Sequence, residues 1–182
     1  MKRYYSFDDL HEAMGGTTYL EAENGETLRL VVVNGERTVS ASNVVWPYGR
    51  PDLPEHEIDY DAIEEVKPIS QAEFDQVWNR HLASQSDCWR AVKQAFPLGA
   101  TLEGHILSFN PQGVLVDLGK DALGLADYAE CAASTEPQFF NWAHKVTGTV
   151  SGYDELNQWV IFKDPRVWEE RLPPVYFAGN SE

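Results

Sequence analysis

Three short stretches near the start of the chain mix hydrophobic and polar residues. The Asn24-Gly25 and Asn34-Gly35 dipeptides separate these stretches, and Asn-Gly is the pair that two-residue hairpin turns favour. Two such turns, one strand length apart, predict a three-stranded antiparallel β-meander. The predicted strands are 17–23, 27–33 and 37–43.

Two segments have helical spacing instead. Ser6 to Met14 places apolar residues on one face and is followed by two glycines, which predicts a short helix with Ser6 as its N-cap. A longer segment begins at Ser70, where Ser70-x-x-Glu73 is a capping box, and ends before Pro97. Polar residues 84–87 interrupt its apolar face, so the pattern fits either one long helix or two helices that break there.

The region between the meander and the long helix is irregular and then acidic. Residues 44–54 contain three prolines and predict a loop or an irregular edge. Residues 52–65 contain seven acids and no Lys or Arg. Within them Ile58, Tyr60 and Ala62 alternate with aspartates, which predicts a strand followed by a turn towards Pro68.

Short apolar segments punctuated by glycine dominate the C-terminal half. Three of them lie between Gly99 and Tyr128, separated by the Asn110-Pro111 dipeptide and a Gly-Lys-Asp turn. Glycines in such segments allow the bulges and bends that a small barrel needs. The pattern predicts a three-stranded meander, a short helix, an aromatic-rich loop and two further strands. The predicted strands are 102–109, 114–118, 122–126, 145–153 and 156–163, and the helix is 127–133.

This part of the chain resembles a known family. The spacing of Gly99, Gly104 and Gly113, the V-L-V-D-L-G run and the G-L-A-D-Y-A-E that follows is similar to the RNA-binding domain repeated in the ribosomal protein called S-one. The resemblance covers residues 97–163, roughly a third of the chain, and implies a five-stranded OB-fold barrel.

The resemblance also implies where RNA would bind. In the family, aromatic residues on the second strand and just before it stack on bases, and a histidine follows the third strand. This chain has Leu115, Gln112 and Asp127 at those positions. The barrel framework is therefore present, whereas the family's recognition residues are replaced.

Together these patterns predict an α+β protein. The predicted domains are an α+β domain at residues 1–96, which holds the β-meander and the helices, and an OB-fold barrel at residues 97–163. The tail at residues 164–182 is expected to pack back through its aromatic residues.

Charge and composition narrow the class of partner. The formal net charge is −15, and residues 1–96 hold 17 acids and 9 bases against 12 and 5 in the rest. Such a chain repels phosphate backbones and anionic membranes and attracts basic partners. The longest strongly aliphatic run is 30–33, and no signal-peptide core follows the N-terminus. With Cys88 and Cys131 as expected free thiols, we expect a cytoplasmic protein that does not bind membranes.

Motifs of enzymatic chemistry are missing from the sequence. It has no phosphate-binding loop, no nucleophile elbow, no His-Glu-x-x-His and no paired Cys-x-x-Cys. The five histidines fall in five separate elements, and His81 fits a packed helix position better than a ligand position. We therefore predict a protein without catalytic residues, cofactor or metal site, and an enzyme is the third of three hypotheses.

The second hypothesis is a divergent RNA- or ribosome-binding protein that uses the barrel. Phe109, Tyr128 and Trp159 would stack on the bases of single-stranded RNA, and Lys120 would contact phosphate. Eight acids against three lysines over residues 97–163 oppose phosphate binding. Trp159 also fits a core position of its apolar strand, which the sequence favours.

The leading hypothesis is a non-catalytic acidic protein that binds a basic protein. The stretch 52–65 interleaves acids with apolar residues, as a mimic of a phosphate backbone on the basic cleft of a nuclease would, although a solvated edge has the same composition. Bacterial immunity proteins that inhibit toxin enzymes are similar in general type, being small, acidic and without catalytic motifs. The predicted partner-binding residues are Asp52, Glu55, Glu57, Asp59, Tyr60, Asp61, Glu64 and Glu65.

Overall fold

A computed structural model of the chain describes residues 1–8, 15–44, 53–54, 56–119 and 122–172. The described chain is α+β and divides into two compact units, Met1–Ser86 and Asp87–Glu182. The strands and helices in chain order are β1 (Lys2–Asp8), β2 (Thr17–Glu23), β3 (Glu26–Asn34), β4 (Arg37–Ser42), β5 (Lys67–Pro68), α1 (Gln71–Ser84), α2 (Ser86–Ala95), β6 (Thr101–Asn110), β7 (Gly113–Asp117), β8 (Leu123–Ala126), α3 (Tyr128–Ala133), β9 (His144–Asp154) and β10 (Trp159–Arg171).

The N-terminal unit is built on a five-stranded antiparallel sheet with the strand order β4-β3-β2-β1-β5. The meander predicted from the Asn-Gly turns is confirmed, because β2, β3 and β4 pair consecutively. Asn24 and Gly25 have φ values of 53° and 85°, a left-handed conformation that these two residue types adopt at low cost. Local turn chemistry therefore favours the connection between β2 and β3.

The predicted helix from Ser6 to Met14 is wrong in its first turn. Ser6 to Asp8 belong to β1 and pair with residues of β2 as far as Thr17. Tyr5 and Phe7 lie two residues apart and both pack into an apolar cluster on one face of the sheet, so burial at a period of two outweighs the helical spacing. The rest of the predicted helix, residues 9–14, lies outside the described residues.

The two faces of the sheet pack against different elements. α1 packs on one face, where its Phe74, Val77 and Trp78 meet Val31 and Val33 of β3. Residues 56–66 pack on the other face, where the buried side chains are Tyr5, Leu20, Ala22 and Tyr60. The predicted cap of α1 is confirmed, since the Ser70 hydroxyl accepts a 3.2 Å hydrogen bond from the amide of Glu73.

The long helical segment is two helices, as the polar residues 84–87 allowed. α2 is part of the second unit, where Trp89 packs into the core cluster of the barrel. The sequence placed residues 87–96 in the N-terminal domain, whereas the compact units divide between Ser86 and Asp87.

The second unit is a closed barrel with the ring order β10-β8-β7-β6-β9. β8 and β10 are parallel, and the other four neighbouring pairs are antiparallel. Each of the five predicted strands is present, and so is the predicted helix, α3, with Asp127 as its N-cap. The barrel core is lined largely by β-branched residues, which include Val114, Val116, Val146, Val150, Val160 and Val167.

The last strand is longer than the sequence indicated. β10 runs to Arg171, so residues 164–171 of the predicted tail are part of the barrel. Asp164 has a φ of 53°, and the pairing with β9 shifts between Lys163 and Arg166. This bulge lets the strand pass Pro165 and continue. Leu172 follows the strand, and residues 173–182 of the predicted tail lie outside the described residues.

Candidate functional site

The acidic stretch lies on the face of the N-terminal sheet opposite α1 and is not the predicted strand. Tyr60–Ala62 forms a single turn of 3₁₀ helix, and its backbone is tied to the β2–β3 turn by a 2.9 Å hydrogen bond from the Ile58 amide to the Gly25 carbonyl. Ile58 and Tyr60 pack on the sheet, and Asp59 between them is exposed. The alternation of apolar and acidic residues in the sequence therefore reflects packing of every second side chain on the sheet, and not pairing of a β-strand. We call residues 57–65 the acidic strip.

Tyr60 is the main anchor of the acidic strip. Its side chain is 6% exposed, its ring centroid lies 5.2 Å from that of Tyr5, and its hydroxyl lies 2.5 Å from the Thr27 hydroxyl. Burial raises the pKa of Tyr60, so the phenol stays neutral at physiological pH. The sequence assigned Tyr60 to partner binding, and the structure gives it a buried position instead.

A cleft of about 510 Å³ lies beside the acidic strip, within the N-terminal unit. Carboxylates from the strip border this cleft together with the phenol of Tyr5 and the guanidinium of Arg3. The carboxylates are those of Glu57, Asp59 and Asp61. The structure therefore brings three of the predicted binding residues to one concave surface.

Asp61 binds two side chains of the same chain at this surface. Arg3 Nη1 forms an ion pair with Asp61 Oδ2, and the Tyr5 hydroxyl donates a 3.1 Å hydrogen bond to Asp61 Oδ1. The hydrogen bond with Tyr5 and the charge of Asp61 raise the pKa of Arg3. The Arg3 and Asp61 side chains are 62% and 55% exposed, so the pair lies at the open rim of the cleft. A carboxylate oriented by a phenol thus binds a guanidinium group here.

The other acids of the strip have no such partner among the residues that the structure describes. Glu57, Asp59, Glu64 and Glu65 are exposed and form no ion pair with any residue in the described ranges. The two remaining predicted residues, Asp52 and Glu55, lie outside the described residues.

On the barrel, the structure brings Phe109 and Tyr128 together with Phe140. The ring centroids are 6.0 Å apart for Phe109 and Tyr128, and Phe140 lies 5.1 Å and 5.0 Å from them. Phe109 is 41% exposed and Tyr128 is 52% exposed. We call these three residues the aromatic cluster. Phe140 stood out in the sequence only as part of an aromatic-rich loop, because no spacing links it to the other two.

Trp159 does not join the aromatic cluster. Its side chain is 1% exposed, which is the buried position that the sequence favoured over base stacking, and its indole N–H has no hydrogen-bond partner among the described residues. Leu115, which stands where the family's second-strand aromatic is expected, is also fully buried. Lys120, the predicted phosphate contact, lies outside the described residues.

The remaining chemistry of the described chain is sparse. Both cysteines are free, and burial raises the pKa of Cys131 to about 12, so that this thiol is unreactive at neutral pH. Burial lowers the pKa of His81 and of His105, which keeps both imidazoles neutral. Within the described residues, no group of three His, Cys, Asp or Glu side chains is arranged to hold a metal ion, and no helix is long and apolar enough to span a membrane.

Comparison with known proteins leaves the site to be interpreted from its own geometry. No family model matches the chain, and no curated protein matches it either.

Proposed function

We propose that the protein is a non-catalytic binding protein whose acidic strip engages a basic protein partner. The observation that carries this proposal is the border of the cleft, where Glu57, Asp59 and Asp61 are exposed while Ile58 and Tyr60 between them are packed on the sheet. Carboxylates on a fixed backbone require little ordering of the backbone on binding, which favours affinity.

Charge supports the same class of partner. The net charge of −15 attracts a basic protein over a long range and accelerates encounter at low ionic strength. Asp61 already pairs with the guanidinium of Arg3, and the neighbouring carboxylates of Glu57 and Asp59 at the same cleft offer an arginine of a partner the same chemistry.

The most concrete form of this proposal is an immunity-type inhibitor of a toxin enzyme, such as a nuclease, in the cytoplasm. The cleft in which a nuclease binds phosphates is basic, and exposed carboxylates in a row offer it a substitute for phosphates. Inhibition would need only occlusion of that cleft, and no catalytic group on this chain.

We also infer that the barrel is an OB-fold of the ribosomal-protein type. Numbered within the barrel, its strands follow the order one-two-three-five-four around the ring, the third and fifth strands are parallel, and a helix precedes the fourth. RNA binding by this barrel is the second candidate function, and the exposure of Phe109 and Tyr128 on one cluster favours it.

A pull-down with the tagged full chain tests the two functions. The Asp59→Asn, Asp61→Asn double variant is compared with Glu36→Gln, Glu73→Gln, which removes the same charge from exposed sites outside the strip and keeps a glutamine in the helix cap. The wild-type chain and the control should retain the same protein with and without ribonuclease, and the strip variant should lose it.

Two results would reject the acidic-strip proposal. One is retention that disappears after ribonuclease treatment, which would favour the RNA-binding function. The other is a strip variant that retains the partner as well as the control does. For the captured partner, the association rate should fall steeply as salt rises and should be slower for the strip variant.

A further inference from the structure

We propose that the aromatic cluster is a second binding site, separate from the acidic strip, and that its ligand is a basic amphipathic segment of a protein. An aliphatic side chain of that segment would pack among Phe109, Tyr128 and Phe140. Lysine or arginine side chains beside it would contact the acids that flank these rings along the chain.

Three elements of the barrel unit build the cluster. Phe109 lies near the end of β6, Tyr128 is the first residue of α3, and Phe140 follows the single 3₁₀ turn at Pro137–Phe139. Each of the three pairs of rings meets edge to face, with interplanar angles of 68°, 80° and 69°. Exposed aromatic groups that are already packed on one another are typical of binding hot spots, because they bury large area without losing much side-chain entropy.

The cluster is held in place before any ligand arrives. Asp127 caps α3 by accepting a 2.9 Å hydrogen bond from the Glu130 amide, and the buried Cys131 fixes the same helix against the barrel core. Tyr128 therefore lies on a helix that is fixed at both its cap and its inner face. A preformed site of this kind needs little rearrangement when it binds.

The acids near the aromatic cluster along the chain favour a basic ligand. Residues 106–144 contain five acids, and Lys120 is their only Lys or Arg. Asp127, Glu130 and Glu136 are exposed and form no ion pair within the described parts of the chain. A basic segment would therefore meet complementary charge next to an apolar contact.

The exposure of the rings would suit RNA, but the acids near them argue against RNA at this site. Sites for single strands combine aromatic stacking with a positive groove, whereas the exposed residues that flank these rings along the chain include the acids Asp127, Glu130 and Glu136. Trp159, which would extend a stacking surface, is buried.

The test uses the full chain and short labelled probes. The main probe is a synthetic peptide in which Lys and Leu alternate, and the matched probes are a Glu-Leu peptide, a Lys-Ser peptide and oligouridine. Binding is measured by fluorescence anisotropy and located by amide shifts in two-dimensional NMR spectra. The Lys-Leu peptide should bind more tightly than the other three probes, and it should shift amides at the cluster.

Two variants separate the apolar contribution from the charge contribution. Phe109→Ala with Tyr128→Ala should weaken Lys-Leu binding at the cluster about tenfold or more. Asp127→Asn with Glu130→Gln keeps an N-cap side chain, and it should weaken binding and reduce its salt dependence. Leu156 is another exposed apolar residue of the same unit, and Leu156→Ala should change neither the affinity for the Lys-Leu peptide nor its salt dependence. If the first variant fails to fold, the charge variant still decides the question.

The proposal would be overturned by tighter binding of oligouridine, by equal binding of the Glu-Leu peptide, or by equal binding of the Lys-Ser peptide. It would also be overturned if amide shifts were confined to residues 57–65 and only Asp59→Asn, Asp61→Asn reduced binding. That last result would leave the acidic-strip proposal standing, so the two proposals fail separately.

Discussion

Nε of Arg29 donates a 2.5 Å hydrogen bond to Oε2 of Glu21, and both side chains are buried in the N-terminal unit. The other carboxylate oxygen, Oε1, lies 3.0 Å from Lys2 Nζ and accepts a 3.2 Å hydrogen bond from the Tyr4 hydroxyl. The Arg29 guanidinium also lies 4.9 Å from the ring centroid of Phe74, on the face of the sheet that α1 covers. A charged pair is thus buried beside the apolar side chains of Phe74 and Trp78.

Removing the charge of Glu21 should destabilise the N-terminal unit strongly. Glu21→Gln leaves the buried Arg29 without a counter-charge, and breaking a buried pair in this way costs roughly 3–5 kcal/mol. The control is Glu23→Gln on the same strand, whose carboxylate pairs with a largely exposed amine and whose loss should cost about 1 kcal/mol or less. Chemical denaturation, followed by the helical signal of α1, measures the free energy of unfolding of both variants. Equal values for the two variants would contradict the prediction.

The contribution of Glu21 should also depend on pH. Burial alone would raise the pKa of Glu21, but the hydrogen bond and charge of Arg29, with a further contribution from Lys2, outweigh it and lower the pKa. Because the folded state binds this proton less readily than the unfolded state, the stabilisation is complete above about pH 4.3, the pKa of an unperturbed glutamate. It is lost as the pH falls through the lowered folded-state pKa.

Denaturation of the wild type and Glu21→Gln across a pH series checks this sign. The gap between their unfolding free energies should be constant from neutral pH down to about pH 5 and should narrow below pH 4. A gap that narrows on the alkaline side of neutrality would show that a different group controls it.

Two glycines on β9 should respond very differently to alanine. A Cβ on Gly148 would lie 2.5 Å from the Phe162 ring and 3.1 Å from the Lys163 carbonyl oxygen, inside the barrel. A Cβ on Gly152 would have its nearest neighbour at 3.9 Å. We expect Gly148→Ala to destabilise the barrel by about 1–3 kcal/mol through overpacking, and Gly152→Ala to stay within about 0.5 kcal/mol of the wild type. Urea unfolding monitored at barrel amides distinguishes them, and similar stabilities would refute the close approach of Phe162.

A polar contact attaches α2 to the barrel. Trp89 Nε1 donates a 2.7 Å hydrogen bond to Glu155 Oε2, and Lys93 Nζ lies 2.9 Å from Oε1. The hydrogen bond from Trp89 and then the one from Lys93 lower the pKa of Glu155. Glu155→Ala removes both contacts, so amide hydrogen exchange in α2 should accelerate while exchange in β7 stays unchanged.

Glu169→Ala removes an exposed acid elsewhere in the barrel unit and serves as the control for that experiment. Its α2 amides should exchange at the wild-type rate. Acceleration spread evenly over the barrel in Glu155→Ala would mean that the contact supports the whole unit and not α2 alone.

Local signals in the sequence predict most of this fold. The Asn24-Gly25 turn and the Ser70 cap act within a few residues, so the meander and the start of α1 are visible without knowledge of the rest of the chain. The strand β1 and the extension of β10 depend instead on pairing with distant partners. The extension also passes a bulge at Asp164, and the sequence there predicts the end of the strand.

The candidate sites, too, could be predicted from the sequence only in part. The acids of the strip could be predicted from composition, but a period of two does not distinguish a strand from a segment anchored at every second residue, which is how Ile58 and Tyr60 lie. The contact of Phe140 with Phe109 forms only when the barrel closes, and no spacing along the chain encodes it.

The two cysteines have a practical consequence. Cys131 is buried, and a pKa of about 12 leaves almost no thiolate at neutral pH, whereas Cys88 is exposed on α2. A maleimide dye should therefore attach to the natural chain at one place, Cys88, without any mutation. Singly labelled protein made in this way gives a fluorescence reporter on α2, outside both proposed binding sites, with which partners can be titrated and the motion of that helix followed.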